Sequence, residues 1–474
     1  MPNNKDVAIV ILAAGKGTRL KSGLAKVLHC AGGRPLVEHV VRACAEVGAK
    51  KTIVVVGHQA EKVEAVVAPF GVELVLQQPQ NGTGHALVVS KRAIGNAKYV
   101  VVLPGDAPLI RPETLKALIQ KHKKGQAAAT LLTTVLADPS GYGRILRKGG
   151  DAVQAIIEES QLTAETRELN EINASMYCFT SAKLWPALAR LKPENRHREI
   201  YLTDTIGGLN AAGETVLAEV APDGREMLGC NTRADLAEVD HTFREWKREA
   251  LMRDGVTIQL PETVVVDPDV VIGEDTILEP CVQLLGKTKI GANCVIKTGS
   301  VIHESVLGDK ITVEPHCVMT QSRIDSDVVV GPFARFRPGT HLKSGSRIGN
   351  FVELKKTVVG EGTKAMHLSY LGDTKIGRKT NIGAGTITCN YDGFTKSPTF
   401  IGSKVFIGSD SSLVAPVKVG DGAYVAAGSI ITDNVPADAL GIARGRQVNK
   451  AGWASRKRRE LTAAQKPAKR KKRR

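Results

Sequence analysis

No two cysteines of this chain stand in a C-x-x-C arrangement; the eight fall singly at Cys30, Cys44, Cys178, Cys230, Cys281, Cys294, Cys317 and Cys389. Zinc-ribbon and thioredoxin-type spacings are thereby excluded, and scattered thiols point to a reducing, cytoplasmic setting. No stretch of about 18 apolar residues occurs, so there is no candidate transmembrane helix. Residues Met1–Val10 lack a basic lead, an apolar run and a cleavage site, so no signal peptide is expected. Aromatic residues are scarce, at 4%. Cores must then be filled by Val, Ile, Leu and Ala, which suits small repeated strands. The hydrophobic share of 42% still excludes a disordered chain. At 474 residues the chain exceeds one ordinary domain.

The formal charge of +17 is unevenly spread. Residues Arg456–Arg474 hold eleven Lys/Arg against Glu460, a net +10, which leaves 17 − 10 = +7 for the other 455 residues. The basic balance is therefore mostly a property of the tail. No aromatic residue interleaves those basic residues, so a specific nucleic-acid role is not expected. Residues 456–474 read as a solvated, disordered tail.

The first half alternates strand-like and helix-like segments. Val7–Leu12, Thr52–Val56, Val72–Leu76 and Tyr99–Leu103 read as strands, and Pro35–Val47, Glu61–Ala68 and His85–Ala93 as helices. Such alternation predicts an α/β, Rossmann-like domain over residues 1–230, a parallel sheet covered on both faces. Ligands bind such sheets at the carboxyl ends of their strands. Leu236, Val239, Phe243, Trp246 and Ala250 then recur three or four residues apart, predicting a linker helix over 231–254.

From about Val256 the rhythm changes. Aliphatic-Gly pairs recur at Ile272, Ile290, Val330, Ile348, Ile376, Ile382, Ile401, Ile407 and Val419, in steps that include 18 and 6. From Ile401 the aliphatic positions run 401, 407, 413, 419, 425 and 431 without a slip. Six residues per strand and eighteen per coil predict a three-sided parallel β-helix over 255–455. The aliphatic residue points inward, and its glycine is expected to permit a tight corner. The step from Ile382 to Ile401 holds the turn-rich segment Cys389–Pro398, expected to leave the coil as a loop.

Leu12-Ala13-Ala14-Gly15-Lys16-Gly17-Thr18-Arg19 follows the first strand directly. Gly15 and Gly17 let the backbone approach phosphate oxygens, with Lys16, Arg19 and Lys26 as nearby cations. The spacing is neither a Walker loop nor the dinucleotide fingerprint. Leu103-Pro104-Gly105-Asp106 closes a second strand. A carboxylate beside a phosphate loop is the usual way to hold Mg²⁺. In the second half, His367 has a side chain suited to taking a proton from an amine near neutral pH. Arg337, Lys355, Tyr370, Asn381 and the Asn390–Lys396 loop fall within two or three coils of it.

Together these motifs become specific. LAAGKGTRL, Lys26, QNGTGHA at 80–86 and PGD at 104–106 resemble the sugar-1-phosphate nucleotidyltransferases. GYGR at 141–144, NEINAS at 170–175, YLTD at 201–204, FARFRPG, NFVELKK, HLSYLGD and NIGAGTITCNYDG narrow the match. Outside the first five residues and the tail, the chain resembles the bacterial bifunctional N-acetylglucosamine-1-phosphate uridyltransferase / glucosamine-1-phosphate N-acetyltransferase family.

That resemblance implies a left-handed β-helix, a homotrimer and Mg²⁺, with UTP, N-acetylglucosamine-1-phosphate, glucosamine-1-phosphate and acetyl-CoA as substrates. It implies a product that feeds peptidoglycan and lipopolysaccharide synthesis. Leu12, Ala13, Ala14, Gly15, Pro104 and Gly105 would lie against the nucleotide, and Gln77, Gly82 and Thr83 would read the uracil. Arg19 and Lys26 would stabilise the transferring phosphoryl group, and Asp106 and Asn231 would hold the metal. Gly143, Glu158, Asn173 and Thr203 would bind the acetylated sugar. His367 would be the general base of acetyl transfer. Arg337, Lys355, Tyr370, Asn381, Asn390 and Tyr391 would bind glucosamine-1-phosphate, and Ala384, Ser409, Ala427 and Arg444 acetyl-CoA. The chain departs from the family at Ala25, where proline is usual, and at Pro104, where tyrosine is common.

Two other readings compete. One is another sugar-1-phosphate nucleotidyltransferase with a merely structural repeat domain; His367, Lys355 and the NYDG loop argue against it. The other is a non-catalytic scaffold; Arg19, Lys26, Asp106 and Asn231 argue against that.

Overall fold

Val7–Val10 and Val100–Val102 have no polar side chain to offer water, so each strand must be covered on both faces. A computed structural model describes residues 4–191 and 199–470, with the side chains of the last helix described as far as Ala464. It divides into two units: Met1–Asp254 with Val265–Val270 and Leu284–Gly286, and the remaining residues of the second half.

The first unit is built on nine strands: β1 Asn4–Ala13, β2 Ala49–Val56, β3 Glu73–Leu76, β4 Tyr99–Pro104, β5 Ala129–Val135, β6 Arg144–Gly149, β7 Ala152–Ile157, β8 Glu171–Thr180 and β9 Val216–Val220. Their order is β3-β2-β1-β4-β8-β5-β9-β7-β6. Strands β3, β2, β1 and β4 are parallel. Strand β8 runs antiparallel to both β4 and β5. The sheet is thus mixed rather than parallel throughout. Between β5 and β8 the chain makes the hairpin β6–β7 instead of a crossover helix, and so returns in the opposite sense. Helices Leu36–Ala45 and Pro112–Lys124 pack on one face, and Thr83–Ile94 and Asp204–Ala211 on the other.

The helix expected over 231–254 spans Arg233–Arg253 and groups with the first unit. Thr232 caps it: its hydroxyl accepts from Asp235 N–H, while the Asp235 carboxylate accepts from Thr232 N–H and from Asn231 N–H. This capping box stops the helix short of Asn231 and leaves that side chain outside it.

The second unit is a left-handed parallel β-helix whose three faces hold eleven, ten and nine strands. Ile272, Ile290, Leu307, Ile324, Leu342, Val359, Ile376, Ile401 and Val419 stack inside one face, all buried. Their registers give coils of 17 as well as 18 residues: Lys289 pairs with Val306, Arg323 with His341. One coil is longer, since Ile376 pairs with Ile401 and Ile382 with Ile407, 25 residues on. The excursion lies between Cys389 and Thr399, where the turn-rich segment was expected.

Gly331, at φ 97°, has the left-handed backbone expected of a corner, but the other glycines of the aliphatic-Gly pairs serve a different purpose. Gly273 has no left-handed backbone; a Cβ there would stand 2.6 Å from Ala292 N in the next coil. Close coil stacking, not an unusual φ, requires glycine. The left-handed corner residue comes two positions later, as Asp275, Asn293 or Lys310. The basic segment also departs from expectation. Trp453–Arg470 is an α-helix, as its Ala, Leu, Lys, Arg and Glu content favours. Residues 471–474 lie outside the described residues.

Candidate active sites

Strands β1, β2, β3 and β4 end on one edge of the sheet, so the loops after them converge. Leu12 pairs with Pro104, which places the start of the glycine loop beside Gly105 and Asp106; Gly105 N–H donates to Leu12 O at 2.9 Å. Gln77 N–H donates to Val56 O, bringing the end of β3 to the same edge. The result is a cavity of about 500 Å³ lined in part by Leu12, Ala13, Ala14, Gly15, Lys26, Gln77, Gly82, Thr83, Pro104, Asp106 and Thr203.

At its mouth stands a polar cluster. Lys26 Nζ forms an ion pair with Asp106 and donates to Asn231 Oδ1 at 2.6 Å; Arg19 donates to the same oxygen at 2.8 Å. Cys230 N–H donates to Asp106 O at 2.9 Å, tying the segment before the long helix to the end of β4. Gly17 makes this possible. Its φ is 68°, and an added Cβ would overlap Lys26 Cβ. The Ala25 departure is locally absorbed: its N–H, which proline lacks, donates to Gln59 Oε1 at 3.1 Å.

Of the remaining front-domain candidates, Gly143, Glu158 and Asn173 do not line the cavity themselves; Glu158 and Asn173 touch residues that do. Tyr177 lines it and accepts from Asn173 Nδ2 at 2.8 Å. Glu158 hydrogen-bonds Thr203, and burial, with the nearby Asp204 carboxylate, holds its carboxyl above the ordinary range. A Cβ on Gly143 would stand 3.6 Å from Glu158 Oε2, so that glycine keeps the approach open. Gln77 Nε2 donates to Gly82 O at 2.9 Å, and the Thr83 hydroxyl accepts from Leu202 N–H at 2.9 Å. Ser175 and Tyr177 were not anticipated. A bulge between Asn173 and Met176, with Ser175 at φ 57°, turns Ser175 into the cavity; no residue pattern announces such a bulge.

In the second unit the candidates fall at two successive corners. Asn350 pairs with His367 across adjacent coils, and the register continues through Ala384, Ser409 and Ala427. These five form one column, closed by the Arg444 guanidinium donating to Ala427 O at 2.9 Å. His367 Nδ1 lies 2.9 Å from Asn350 Oδ1, which fixes the proton on Nδ1 and leaves Nε2 as the free base.

At the next corner an open cavity of about 600 Å³ is lined by Arg337, Lys355, Tyr370, Asn390, Tyr391, Phe394 and Lys396. Asp373 organises it, accepting from Lys355 Nζ at 3.3 Å and from Asn390 Nδ2 at 2.5 Å. The Lys355 ammonium beside Lys396 pushes the Lys396 ammonium's pKa below its ordinary value. Arg337, Lys355 and Lys396 bring three cations to one cavity against Glu353 on Arg337 and Asp373 on Lys355, a positive excess suited to an anion. Asp373 and Lys396 were missed as site residues, although one closes HLSYLGD and the other closes the Asn390–Lys396 loop. Neither His367 nor Asn381 lines this cavity. Asn381 sits on the face before it, paired with Lys364 and Phe406.

Residues 9–205 match a family model described as the MobA-like NTP transferase domain. Residues 269–304 and 398–433 match the bacterial transferase hexapeptide model of six repeats. The chain is 49% identical over 464 residues to the bifunctional protein GlmU of Koribacter versatilis (strain Ellin345), covering 97% of this chain and 99% of that one. It is 48% identical over 454 residues to the protein of the same name from Solibacter usitatus (strain Ellin6076), covering 95% and 97%. It is 46% identical over 456 residues to that from Geotalea uraniireducens (strain Rf4), covering 95% and 99%.

Proposed function

The chain belongs to the family of bifunctional GlmU proteins, and on that premise we propose that it makes UDP-N-acetylglucosamine in two consecutive steps. The second unit transfers the acetyl group of acetyl-CoA to the amine of glucosamine-1-phosphate. The first joins the product to UTP and releases pyrophosphate. The observation that carries this reading is the presence in one chain of both the Lys26–Asp106–Asn231 cluster and the His367 column.

In the acetyl transfer, the amine nitrogen attacks the thioester carbonyl while Nε2 of His367 takes its proton. The C–S bond then breaks, and CoA leaves as the thiol with a proton returned from that imidazole. Asn350 holds the ring in the required tautomer. Arg337, Lys355, Tyr370, Asn390 and Tyr391 grip the sugar phosphate, and Ala384, Ser409, Ala427 and Arg444 form the edge along which acetyl-CoA lies. A corner separates the two groups, and Asn381 stands on the same face as His367, away from the sugar-phosphate residues. A homotrimer, with sites completed by a neighbouring chain, would reunite them. The exposed stack His316–Phe333–Phe351 supports that assembly.

In the uridylyl transfer the attacking phosphate is already anionic and needs no base. Lys26 and Arg19 stabilise charge on the phosphoryl group, Gln77, Gly82 and Thr83 read the uracil, and Gly143, Glu158, Asn173 and Thr203 hold the sugar. Asp106 and Asn231 fit Mg²⁺: two hard oxygens, bridged here by the Lys26 ammonium, suit an ion that keeps waters and takes phosphate oxygens. When bound, the ion supplies charge neutralisation on the phosphates. A cytoplasmic location accords with these substrates.

The two steps are separable. Asp106→Asn is expected to abolish pyrophosphate release and leave free-thiol release near normal, and His367→Ala to do the reverse. Equal damage to both activities in either folded variant overturns the two-site reading.

A further inference from the structure

Gln77 follows β3 and stays in register with the sheet, its N–H donating to Val56 O at 2.8 Å. Its side chain lines the first-unit cavity and is only 5% exposed. A carboxamide accepts at one end and donates at the other, within nearly the same shape. What Gln77 can recognise therefore depends on which way round its amide stands.

Two neighbours decide that. The helix Thr83–Ile94 starts from Gly82, whose φ is 94°. Ile200 fixes this turn. Gly84 N–H donates to Ile200 O at 2.8 Å, and Ile200 N–H donates to Asn81 O at 3.0 Å. A Cβ on Gly82 would stand 2.6 Å from Ile200 O. Held there, Gly82 O accepts from Ala86 N–H at 3.2 Å and from Gln77 at 2.9 Å. A carbonyl oxygen only accepts, so the amide atom beside it is Nε2. His85 is the third residue of the helix, and helical side chains lean toward the N-terminus. Its Nδ1 lies 3.3 Å from the same Gln77 Nε2. The second amide hydrogen makes Nδ1 the acceptor, so the imidazole proton sits on His85 Nε2. With both amide hydrogens engaged, Oε1 is the atom left over, and among the described residues nothing donates to it.

We propose that His85 is a positioning residue for base selection in uridylyl transfer: it holds Gln77 with Oε1 presented to the nucleotide. A fixed acceptor there pairs with the imide N–H of uracil. It is repelled by the lone pair that cytosine carries on the same ring nitrogen. Reversing the amide would break both contacts and set Oε1 against Gly82 O and the His85 lone pair. Without His85, Gly82 O alone opposes the reversal. His85 does not line the cavity itself; it acts through Gln77, and its effect rests on the reading that Gln77 faces the base.

Pyrophosphate release by the full-length protein, measured as kcat/KM with UTP and with CTP, tests this. His85→Leu should lower the UTP-to-CTP ratio about fivefold, the worth of one hydrogen bond. The KM for UTP should rise and that for CTP fall, with kcat for UTP unchanged. His85→Ala should do the same, so the result does not hang on how a leucine packs. His85→Asn keeps an acceptor near the place of Nδ1 and should keep the parental ratio. Melting temperatures report that each variant is folded. A ratio unchanged in His85→Leu and His85→Ala, with both nucleotides losing equally, reduces His85 to a prop of the helix and overturns the proposal. So does a ratio that His85→Asn fails to restore. Gln77→Ala separates the two levels. A ratio lost in Gln77→Ala but kept without His85 strikes the positioning role alone. A parental ratio in Gln77→Ala shows that Gln77 does not face the base, and the underlying reading falls with the proposal.

Discussion

Two alanine substitutions in the loop after β1 should fail for opposite reasons. Gly17 has φ 68°, and an added Cβ would overlap Lys26 Cβ and stand 3.1 Å from its Cγ. The left-handed backbone costs an alanine about 1–2 kcal/mol. Crowding a packed side chain adds about 1–3 kcal/mol. Gly17→Ala should then destabilise the first unit by about 3 kcal/mol, which lowers its melting temperature by roughly 10 °C at this size. The same overlap pushes Lys26 off Asp106 and Asn231, so pyrophosphate release should fall with the stability. Gly15 has no left-handed φ, and a Cβ there meets nothing within 4 Å. Gly15→Ala should leave the melting temperature of the unliganded protein unchanged, or raise it by about 0.5 kcal/mol worth of stability. If the loop backbone lies against the nucleotide, that variant should nonetheless bind UTP at least tenfold more weakly. Scanning calorimetry without ligand and titration calorimetry with UTP separate the two effects. A Gly17→Ala protein as stable as its parent would refute the packing argument. A Gly15→Ala protein with unchanged UTP affinity would refute the placement of the nucleotide.

Other expectations follow from single contacts. Burial raises the Glu158 pKa, so the folded chain binds that proton more tightly than the unfolded one. The stability it contributes is present at low pH and is lost as pH rises through the raised pKa. Glu158→Gln should therefore melt higher than the parent at neutral pH, converge with it below about pH 4, and show a raised KM for N-acetylglucosamine-1-phosphate. Asn350→Ala frees the His367 ring to take the other tautomer; acetyl transfer should lose on the order of tenfold in kcat with KM for glucosamine-1-phosphate unchanged. Lys396→Met removes a like charge from beside Lys355; the unliganded protein should be no less stable, while that KM rises about tenfold, the worth of one charged hydrogen bond. Deleting 391–397 reduces the 25-residue coil to 18 residues. The β-helix should keep its melting temperature and the first unit its uridylyl transfer, while acetyl transfer is lost. A collapsed β-helix would show that the loop belongs to the stacking.

The periodicity of six was readable because each inward aliphatic residue answers to one physical requirement, burial in a narrow prism. Coil lengths of 17 and 25 were not, because a parallel solenoid fixes register through its neighbours and not through the count of residues between them. Ile376 and Ile401 pair as well as Ile272 and Ile290 do. The glycine after each aliphatic residue was visible, but at most of them, Gly273 and Gly349 for example, the reason was not: the obstruction is the backbone of the next coil, which a linear pattern does not contain. Asn231 stood inside the expected helix because apolar spacing marks a helix body poorly at its ends. Its exclusion rests on Thr232 and Asp235, a capping pair that was present in the sequence and outweighed the periodicity. Ser175 depends on a bulge, and Asp373 on a coil-to-coil contact with Lys355.

The two candidate sites use the chain in different ways, and the difference explains why their residues are spaced as they are. At the sheet edge, groups far apart in sequence meet because parallel strands end together. Lys26, Asp106 and Asn231 are joined across 205 residues by one ammonium. Each is fixed by its own local device: a left-handed glycine for Lys26, a strand end for Asp106, a capping box for Asn231. In the β-helix the spacing is the device. One column repeats the position of His367 at each coil, so a long, thin co-substrate would meet a rail of small residues, Ala384, Ser409 and Ala427, with a guanidinium at its end. A rail cannot surround a sugar phosphate, because every column offers one residue per coil. The added residues of the long coil would do so, since they carry Asn390, Tyr391 and Lys396 out to line one cavity with Arg337 and Lys355 without altering the register of the stack.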